Sequence, residues 1–374
     1  MPKSEHRYNL KTVDMDCNNP LTYEYNGVPL YAIILLTVLG IFLLIVLILE
    51  LFLLPKKRKK FKLEEDLLTH VVITGGSSGI GLSVARLLIK KRATHITLLA
   101  RNEAKLKQVT VDLQQYANET SSTGSPTTIK YFSVDVSDAQ KIQKVAKDVC
   151  ENKTDIPIPT ALINVAGIAT SATFVHTNYS EFERLMSINY LGSAYTTRAF
   201  LPYMRTTSSS QPKAIQFTSS QAGQIGIYGF TAYSASKFAL RGMAEALQME
   251  VQDDNVRVQV VFPPDTDTPG FEIENLDKPE ITRLLSETSG LFSAEAVAKR
   301  MVDDMLKTRP PFHVYIGLDG WLLSGISAGM SPLMNIVDGL YQIFLGGLLR
   351  FVSLFYLWDF RNTVRKQHAK AKKK

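Results

Sequence analysis

Two side chains that could move a proton, Tyr233 and Lys237, stand four residues apart in the stretch TAYSASKFALRGMAEALQMEV. Residues at i and i+4 of a helix are neighbours, so the Lys237 ammonium would lie near the Tyr233 phenol. A free phenol titrates at about pH 10 and is a slow acid or base at neutral pH, and a nearby positive charge lowers that pKa. The pair alone also fits an exposed helix face without function, so other motifs must decide.

A glycine-rich turn, TGGSSGIG from Thr74 to Gly81, follows one apolar run and opens a helical pattern. Glycines let a backbone turn tightly and approach a pyrophosphate, while a helix N-terminus offers free N–H groups and partial positive charge. The turn therefore predicts a dinucleotide site, although a tight strand-to-helix turn without a ligand is the alternative. The residues expected to contact the cofactor here are Gly75, Ser77, Ser78, Gly79, Ile80 and Gly81.

The end of the second predicted strand, Leu99-Ala100-Arg101-Asn102, indicates which dinucleotide binds. An acid at this position would bind the ribose 2′-hydroxyl of NAD, and a base would pair with a 2′-phosphate. No acid is present, so Arg101, helped by Ser77 and Lys105, is expected to bind the phosphate of NADPH; a solvated arginine is the alternative. The adenosine is expected to contact the ends of the third and fourth strands, at Asp135, Val136, Asn164, Ala166 and Gly167, unless these residues only cap turns.

The elements that must position these residues alternate between short β-branched runs and longer helical patterns. Apolar strands separated by helices predict a parallel sheet covered on both faces, which is a doubly wound, Rossmann-type α/β fold. Six strands are expected: HVVIT, HITLLA, IKYFSV, TALINV, AIQFTS and VRVQVVF. Helices are expected between them, ending near Lys91, beginning at Asn102, running from Asp138 to Asn152 and from Ser180 to Arg205, and carrying Tyr233.

Composition argues against several function classes. The formal net charge of +7 lies largely in two basic blocks, Lys56 to Lys60 and the tail from Arg365, and each block flanks an apolar segment. No aromatic-interleaved basic patch accompanies them, so no nucleic-acid partner is expected. Two cysteines are too few for a disulfide framework, and the six scattered histidines lack metal-ligand spacing, so no metal is expected either.

The apolar run from Tyr31 to Leu54 contains one charge, Glu50, and is long enough to span a bilayer. It is too long for a cleaved signal peptide and is followed by basic residues rather than a cleavage site. The positive-inside rule then places the N-terminus in the lumen and the rest of the chain in the cytosol. The expected divisions are residues 1–28 lumenal, 29–54 transmembrane, 55–66 a basic linker and 67–313 the catalytic domain. The sequons at Asn118, Asn152 and Asn178 are then not expected to carry glycans.

A second apolar region, residues 314–360, is rich in Gly, Ser and aromatic residues and shows no strand-helix alternation. Pro332, Asn335 and Asp338 interrupt it, so two shorter segments fit better than one long helix. Membrane association is expected, as a hairpin of two crossings or as interfacial helices, and an oligomerisation cap is the alternative. The basic tail, residues 361–374, is expected in the cytosol, and its end, KAKKK, matches a di-lysine retrieval signal of the endoplasmic reticulum.

Several motifs occur in the order and spacing of the short-chain dehydrogenase/reductases, which the chain resembles from Val71 to Gly270. They are TGGSSGIG, NVAG, the Asn of SINYLG, the Ser-Ser pair, YSASK and a proline-rich loop after the sixth strand. The resemblance implies a catalytic set of Asn189, Ser220, Tyr233 and Lys237, with Ser219 as the neighbouring candidate. Ser220 would polarise the substrate carbonyl, and Asn189 would hold a water that returns a proton through Lys237. Family members often form dimers, so a homo-oligomer is also an expectation.

The loop PPDTDTPGF departs from the Pro-Gly of most family members, and Pro263, Thr266 and Thr268 are expected to contact the cofactor. With INYLGS and the Tyr233 region, this loop resembles the branch that reduces the ketone of 3-ketodihydrosphingosine to dihydrosphingosine with NADPH, facing the cytosol on the endoplasmic reticulum. That resemblance implies a long-chain lipid ketone as substrate. Two alternatives remain: a membrane-anchored hydroxysteroid or retinol dehydrogenase, and a catalytically silent lipid-binding scaffold.

Overall fold

The computed structural model describes residues 24–25, 28–48, 50–51, 63–120, 126–151, 156–208 and 211–372. It divides the chain into two compact units, residues 1–55 and 56–374. Within the first, two antiparallel strands, Glu24–Tyr25 and Val28–Pro29, precede helix α1, Leu30–Ile48. Most of the lumenal segment and basic linker, the end of the predicted membrane segment, the Asn152 sequon and the last two lysines lie outside the described residues.

The second unit is built on a seven-stranded sheet in which every neighbouring pair is parallel. Its order is β3-β2-β1-β4-β5-β6-β7, so the chain winds outward in both directions from β1 and β4. This confirms the predicted doubly wound fold. The strands are β1 (His70–Thr74), β2 (His95–Ala100), β3 (Thr128–Ser133), β4 (Ala161–Asn164), β5 (Lys213–Thr218), β6 (Val256–Phe262) and β7 (His313–Tyr315).

Successive strand residues point to opposite sides of the sheet, so both of its faces carry apolar side chains. Helices cover both faces and bury these side chains. Val71 and Ile73 of β1 belong to one apolar core with Leu88, whereas Val72 belongs to the other core with Phe200. The helices are α2 (Leu63–Leu67), α3 (Gly79–Lys90), α4 (Glu103–Thr120), α5 (Ala139–Cys150), α6 (Tyr179–Leu185), α7 (Gly192–Thr206), α8 (Thr231–Val251), α9 (Pro269–Leu276), α10 (Glu280–Ser286), α11 (Ala294–Met305), α12 (Gly317–Ile326) and α13 (Ile336–Ala371).

The single helix predicted from Ser180 to Arg205 contains a π-helical stretch, Met186–Leu191, between α6 and α7. A π-turn inserts one residue into the helical repeat, and such turns frequently lie at functional sites. Asn189 lies in this stretch and is fully buried. The sequence pattern predicts an ordinary α-helix at Asn189, whereas the π-helical turn determines the orientation of this residue.

The C-terminal region differs from its prediction in two ways. Strand β7 pairs with β6 and adds a seventh strand across the expected domain boundary at residue 313. Asn335 ends the interruption by capping α13, since its Oδ1 accepts from Asp338 N at 2.9 Å, but α13 then continues for 36 residues. The basic tail is thus the end of this helix, as far as Ala371, rather than a separate segment.

Candidate active site

The glycine-rich turn joins β1 to α3 at the carboxyl end of the sheet, next to the switch point between β1 and β4. Gly75 and Gly79 have φ angles of +69° and +53°, which favour glycine. A Cβ on Gly75 would lie 2.9 Å from the backbone nitrogen of Ala166, so the turn packs directly against the chain after β4. The turn exposes the N-terminus of α3 to the cleft, whose lining includes Gly75, Ser77, Ser78, Gly79 and Ile80.

Two residues expected to contact the cofactor, Gly81 and Asn164, do not line this cleft. A Cβ on Gly81 would lie 2.4 Å from the carbonyl oxygen of Gly75, so this glycine is required by the shape of the turn. Asn164 is 1% exposed and its Nδ2 donates to Thr197 Oγ1 at 3.3 Å. Both residues support the site from behind its surface.

The remaining predicted cofactor contacts surround the same cleft. Arg101, at the end of β2, is 60% exposed, and its NH1 lies 3.8 Å from Asp135 Oδ2. Asp135 is held in place because its Oδ1 accepts hydrogen bonds from Ser137 N at 2.9 Å and from Ser137 Oγ at 2.7 Å. Other cleft-lining residues from the prediction are Lys105, Val136, Ala166, Gly167, Pro263, Thr266 and Thr268. These features fit a dinucleotide with a 2′-phosphate, since a guanidinium and an ammonium stand where an acid would select NAD.

The loop after β6 closes over the glycine-rich turn. Thr268 caps α9 by accepting a hydrogen bond from Phe271 N at 3.1 Å. A Cβ on Gly79 would lie 2.9 Å from Thr268 Cγ2, so the two segments touch. Thr266 Oγ1 donates to Pro264 O at 2.9 Å, which fixes the loop in a single turn. These hydrogen bonds hold the loop in place although it lacks the glycine that most family members have there.

Ser220, Tyr233 and Lys237 meet where β5 ends and α8 begins. The Ser220 hydroxyl lies close enough to the Tyr233 phenol to lower the pKa of that phenol. Lys237 Nζ lies 5.7 Å from the centre of the Tyr233 ring and donates to the carbonyl oxygen of Thr218 at 2.9 Å. All three residues line the cleft. The predicted i,i+4 pair is thus an interior pair, with Lys237 only 4% exposed.

The two adjacent serines have different surroundings. Ser219 is 3% exposed, and its Oγ donates to the backbone carbonyl of Lys237 at 2.8 Å. Ser220 Oγ accepts from Ala222 N at 3.1 Å and is more open to the cleft. The geometry therefore favours Ser220 over Ser219 as the hydroxyl that a substrate carbonyl can reach.

Asn189 is committed to bonds within the protein. Its Nδ2 donates to Ile168 O at 3.0 Å and to Ser236 Oγ at 2.9 Å, and its Oδ1 accepts from Ile168 N at 2.9 Å. These bonds join the segment after β4 to the residue that precedes Lys237. Binding of a water by the side chain itself would have to use the remaining acceptor position on Oδ1.

Burial determines the proton chemistry of Tyr233 and Lys237. Burial raises the pKa of the Tyr233 phenol, the Glu274 charge raises it further, and the hydrogen bond from Ser220 partly opposes both. This direction differs from the lowering expected from Lys237 alone, because the phenol also faces acidic side chains. Burial lowers the pKa of Lys237 to about 8. The phenol therefore keeps its proton at neutral pH, the form that a proton donor requires.

The cleft has a volume of about 970 Å³ and continues past Tyr233 to the C-terminal helices. Its far end combines apolar side chains with a few polar groups, among them a hydrogen bond from Tyr356 OH to Asp319 Oδ1 at 3.2 Å. The sequence pattern did not assign these residues to the site, since nothing in the region repeats the strand-helix signal. The lining residues from α12 and α13 include Leu322, Leu323, Ile326, Arg350, Ser353, Leu357 and Phe360.

Three charged residues beside Tyr233 were also missed: Asp265, Glu274 and Lys278. Lys278 Nζ lies 2.7 Å from Glu274 Oε1 and 3.7 Å from Asp265 Oδ2. In the sequence, Glu274 and Lys278 look like an ordinary exposed i,i+4 pair. Their burial comes from the packing of α9 over the cleft, which a local pattern does not reveal.

Curated proteins with similar sequences carry closely related names. The 3-ketodihydrosphingosine reductase of Mus musculus is 46% identical over 79% of this chain and 86% of its own length. The 3-dehydrosphinganine reductase of Danio rerio is 44% identical with the same coverage. A 3-dehydrosphinganine reductase of Arabidopsis thaliana is 36% identical over 81% of this chain and 86% of its own length.

Solved structures and a family model indicate the wider family of the chain. An alcohol dehydrogenase from Thermococcus sibiricus, complexed with 5-hydroxy-NADP, has a TM-score of 0.51 and 25% identity, covering 62% of this chain and 88% of that one. A short-chain dehydrogenase from Streptomyces avermitilis has a TM-score of 0.57 and 25% identity, covering 68% and 90%. The model of the short chain dehydrogenases matches residues 69–278. The chain therefore belongs to the short-chain dehydrogenase family.

Proposed function

We propose that this protein reduces the ketone of 3-ketodihydrosphingosine to the hydroxyl of dihydrosphingosine, using NADPH. The observation that carries the proposal is that Ser220, Tyr233 and Lys237 line one cleft, which continues between the apolar side chains of α12 and α13. A ketone held at this pair would place a long hydrocarbon chain along that apolar end. The names of relatives that are 46% identical support the same substrate.

Each member of the catalytic cluster has a distinct task in this reduction. NADPH, when bound, supplies a hydride to the carbonyl carbon. Ser220 donates a hydrogen bond to the carbonyl oxygen, which draws negative charge onto that oxygen as the C=O π bond breaks. Tyr233 then transfers its phenolic proton to the oxygen, and the new C–H and O–H bonds complete the alcohol.

Lys237 returns a proton to Tyr233 and keeps the phenol in position. Its Nζ is already anchored to Thr218 O, so the ammonium remains beside the ring without rearrangement. Asn189 holds Lys237 indirectly, through Ser236 and the backbone of Ile168. In this role Asn189 positions the helix that carries both catalytic side chains, and any water it binds uses its one free acceptor site.

Arg101 and Lys105 select NADPH over NADH. A guanidinium can bind a phosphate through two parallel hydrogen bonds, which gives it both affinity and directionality. The contact with Asp135 at 3.8 Å is long, so Arg101 can turn to a phosphate without breaking a tight ion pair. Ser77, on the glycine-rich turn, lines the same cleft and adds a hydroxyl.

Among the residues that the structure describes, two helices are apolar and long enough to cross a membrane: Tyr31–Ile48 within α1, and Ile336–Ala371, which is α13. In our proposal α1 anchors the protein in the endoplasmic reticulum with its catalytic domain in the cytosol, following the predicted divisions at residues 28, 54, 66, 313 and 360. Helix α13 instead lies along the membrane surface, because Leu349 and Ser353 in its middle are buried and the helix packs against α10 and α12. Its outward side chains, including Phe351, Phe355 and Trp358, are exposed and would enter the interface.

The substrate assay distinguishes this function from its closest competitor. Purified protein in lipid vesicles or detergent is given NADPH with 3-ketodihydrosphingosine or with a ketosteroid, and product is measured by mass spectrometry. Turnover of the sphingoid ketone supports the proposal, and turnover of the steroid alone contradicts it.

Protease protection of terminal tags in microsomes tests the membrane topology. A protected N-terminus and a digested C-terminus are expected.

A further inference from the structure

A cluster of charged side chains lies beside the catalytic tyrosine, and the reduction step does not use it. We name Asp265, Glu274 and Lys278 the head-group cluster. The Lys278 side chain is 1% exposed, Glu274 is 10% exposed and Asp265 is 27% exposed. Both carboxylates line the cleft, whereas Lys278 lies behind them.

Lys278 is held firmly in this position. Its Nζ lies 4.7 Å from the centre of the Phe271 ring and 5.7 Å from that of Phe230, in addition to its two carboxylate contacts. The Phe230 ring is in turn 5.3 Å from the Tyr233 ring. Lys278 is therefore separated from the reacting phenol by a single aromatic side chain. The two carboxylates line the cleft with Tyr233, and their charges both influence that phenol.

The charges in the head-group cluster do not balance. With both carboxyls ionised, two negative charges face one ammonium, which leaves one net negative charge in a partly buried site. Burial raises the pKa of both carboxyls and Lys278 opposes that shift. A second cation would favour the ionised form of both, so such an excess is expected where a ligand supplies the missing charge. The lysine satisfies one carboxylate and leaves capacity for one further cation.

The same cleft contains other buried acceptors without partners among the described residues. Gln224 Oε1 and Ser286 Oγ each lie on residues that are 8% exposed and line the cleft, and neither makes a hydrogen bond. Unpaired polar atoms in a buried site are costly, which points to a polar ligand group that binds here.

The geometry points to Asp265 and Glu274 as the subsite for the substrate's ammonium group, with Lys278 setting the excess at one negative charge. This inference builds on the proposed function, since the amine of 3-ketodihydrosphingosine is on the carbon next to the ketone. A carbonyl oxygen at Ser220 and Tyr233 would therefore bring the amine within reach of neighbouring side chains. The subsite would recognise a 2-amino ketone and discriminate against ketones of similar length that lack the cation.

The test compares two substrates in the full-length protein reconstituted in lipid vesicles. One is 3-ketodihydrosphingosine, and the other is the matched ketone with the same hydroxyl and chain but a hydrogen in place of the amine. Glu274→Gln and Asp265→Asn keep the shape of each side chain and remove its charge. Glu272→Gln, an exposed residue on the same helix, is the control. NADPH binding by fluorescence shows whether each variant is folded.

Each charge-removing variant is expected to lower kcat/KM for the amino ketone by about tenfold to a hundredfold, the usual effect of losing a hydrogen bond to a charged group. Turnover of the ketone without the amine should change less than about threefold, and the Glu272→Gln variant should match the wild type. Equal losses for both substrates would show that the cluster only stabilises the fold, and would overturn the inference. If the wild type fails to reduce the amino ketone, the proposed function itself fails. If the wild type is active but the variants leave the ratio of kcat/KM for the two ketones unchanged, the inference alone fails.

Discussion

Ser219 donates a hydrogen bond of 2.8 Å to the backbone carbonyl of Lys237 and thereby joins the end of β5 to the second turn of α8. Its neighbour Ser220 lines the cleft with Tyr233 instead and lowers the pKa of that phenol. Gly223 makes the first contact possible, since a Cβ there would lie 2.2 Å from Ser219 Oγ. Adjacent residues of the same type thus separate into a structural contact and a contact with the reacting group.

The two serines should therefore respond differently to loss of their hydroxyls. Ser220→Ala is expected to lower kcat by about 10²- to 10³-fold, the usual effect of removing one donor to a developing oxyanion, with little change in NADPH affinity. Ser219→Ala should cost about 1 kcal/mol of unfolding free energy and reduce kcat far less. Steady-state kinetics and urea unfolding check both variants. A larger kcat loss in Ser219→Ala would reverse the assignment.

Arg101→Ala should weaken NADPH binding by about tenfold to a hundredfold and leave NADH binding nearly unchanged, because only NADPH carries the phosphate that pairs with the guanidinium. Cofactor titrations with each dinucleotide measure the ratio. Lys107→Ala, an exposed residue on α4 that does not line the cleft, serves as the control. Parallel losses for both dinucleotides in Arg101→Ala would mean that the arginine acts on the fold rather than on the phosphate.

The rate of reduction should fall as pH rises through about 8. Burial lowers the pKa of Lys237 to about 8, and above that pH the residue no longer carries the proton that it returns to Tyr233. Stability has the opposite sign: the unfolded chain keeps this proton up to a pKa of about 10.4, so the Lys237 contribution to stability grows with pH across that window. The pH profile of kcat, measured beside thermal unfolding, separates these effects. If kcat stays constant between about pH 7 and about pH 9, the range around the pKa of Lys237, the role of Lys237 is contradicted.

Gly75→Ala should weaken NADPH binding in addition to destabilising the fold. The new Cβ would lie 2.9 Å from the backbone of Ala166 in a turn with φ of +69°. Gly290→Ala is the matched control, since its φ is +74° but nothing lies within 4 Å of the added atom. Both variants should lose about 1–2 kcal/mol of stability from the left-handed backbone, and only Gly75→Ala should lose cofactor affinity. Equal cofactor affinity in the two variants would argue against the turn as the pyrophosphate site.

The fold was predictable because its strands are apolar runs that recur at regular intervals, and β1 to β6 fall within one or two residues of their predicted positions. Strand β7 was missed for physical reasons. It has three residues, begins with His313 and follows a pair of prolines, so its strand character comes from pairing with β6 rather than from its own sequence. The predicted interruption at Pro332 and Asn335 lies between α12 and α13, as expected, and Asn335 caps α13. Asp338 instead lies in the first turn of α13, and the predicted basic tail continues that helix.

The catalytic side chains were predictable because they belong to short local motifs, the Ser-Ser pair and YSASK, whose resemblance to the short-chain dehydrogenase/reductases implies their roles. The residues that form the walls of the cleft were not predictable in this way. Asp265, Glu274 and the α13 residues approach Tyr233 only after distant segments pack together, and no periodicity marks that contact. The expected lowering of the Tyr233 pKa was also incomplete, because it included the nearby ammonium but omitted burial and the Glu274 charge.

The most direct test of the central claim is a comparison of the wild type with Tyr233→Phe in lipid vesicles, using NADPH and 3-ketodihydrosphingosine. The account predicts that the wild type forms dihydrosphingosine, whereas Tyr233→Phe loses at least about 10²- to 10⁴-fold in kcat while binding NADPH as before, since only the proton donor is removed. Unchanged turnover by Tyr233→Phe would contradict the account.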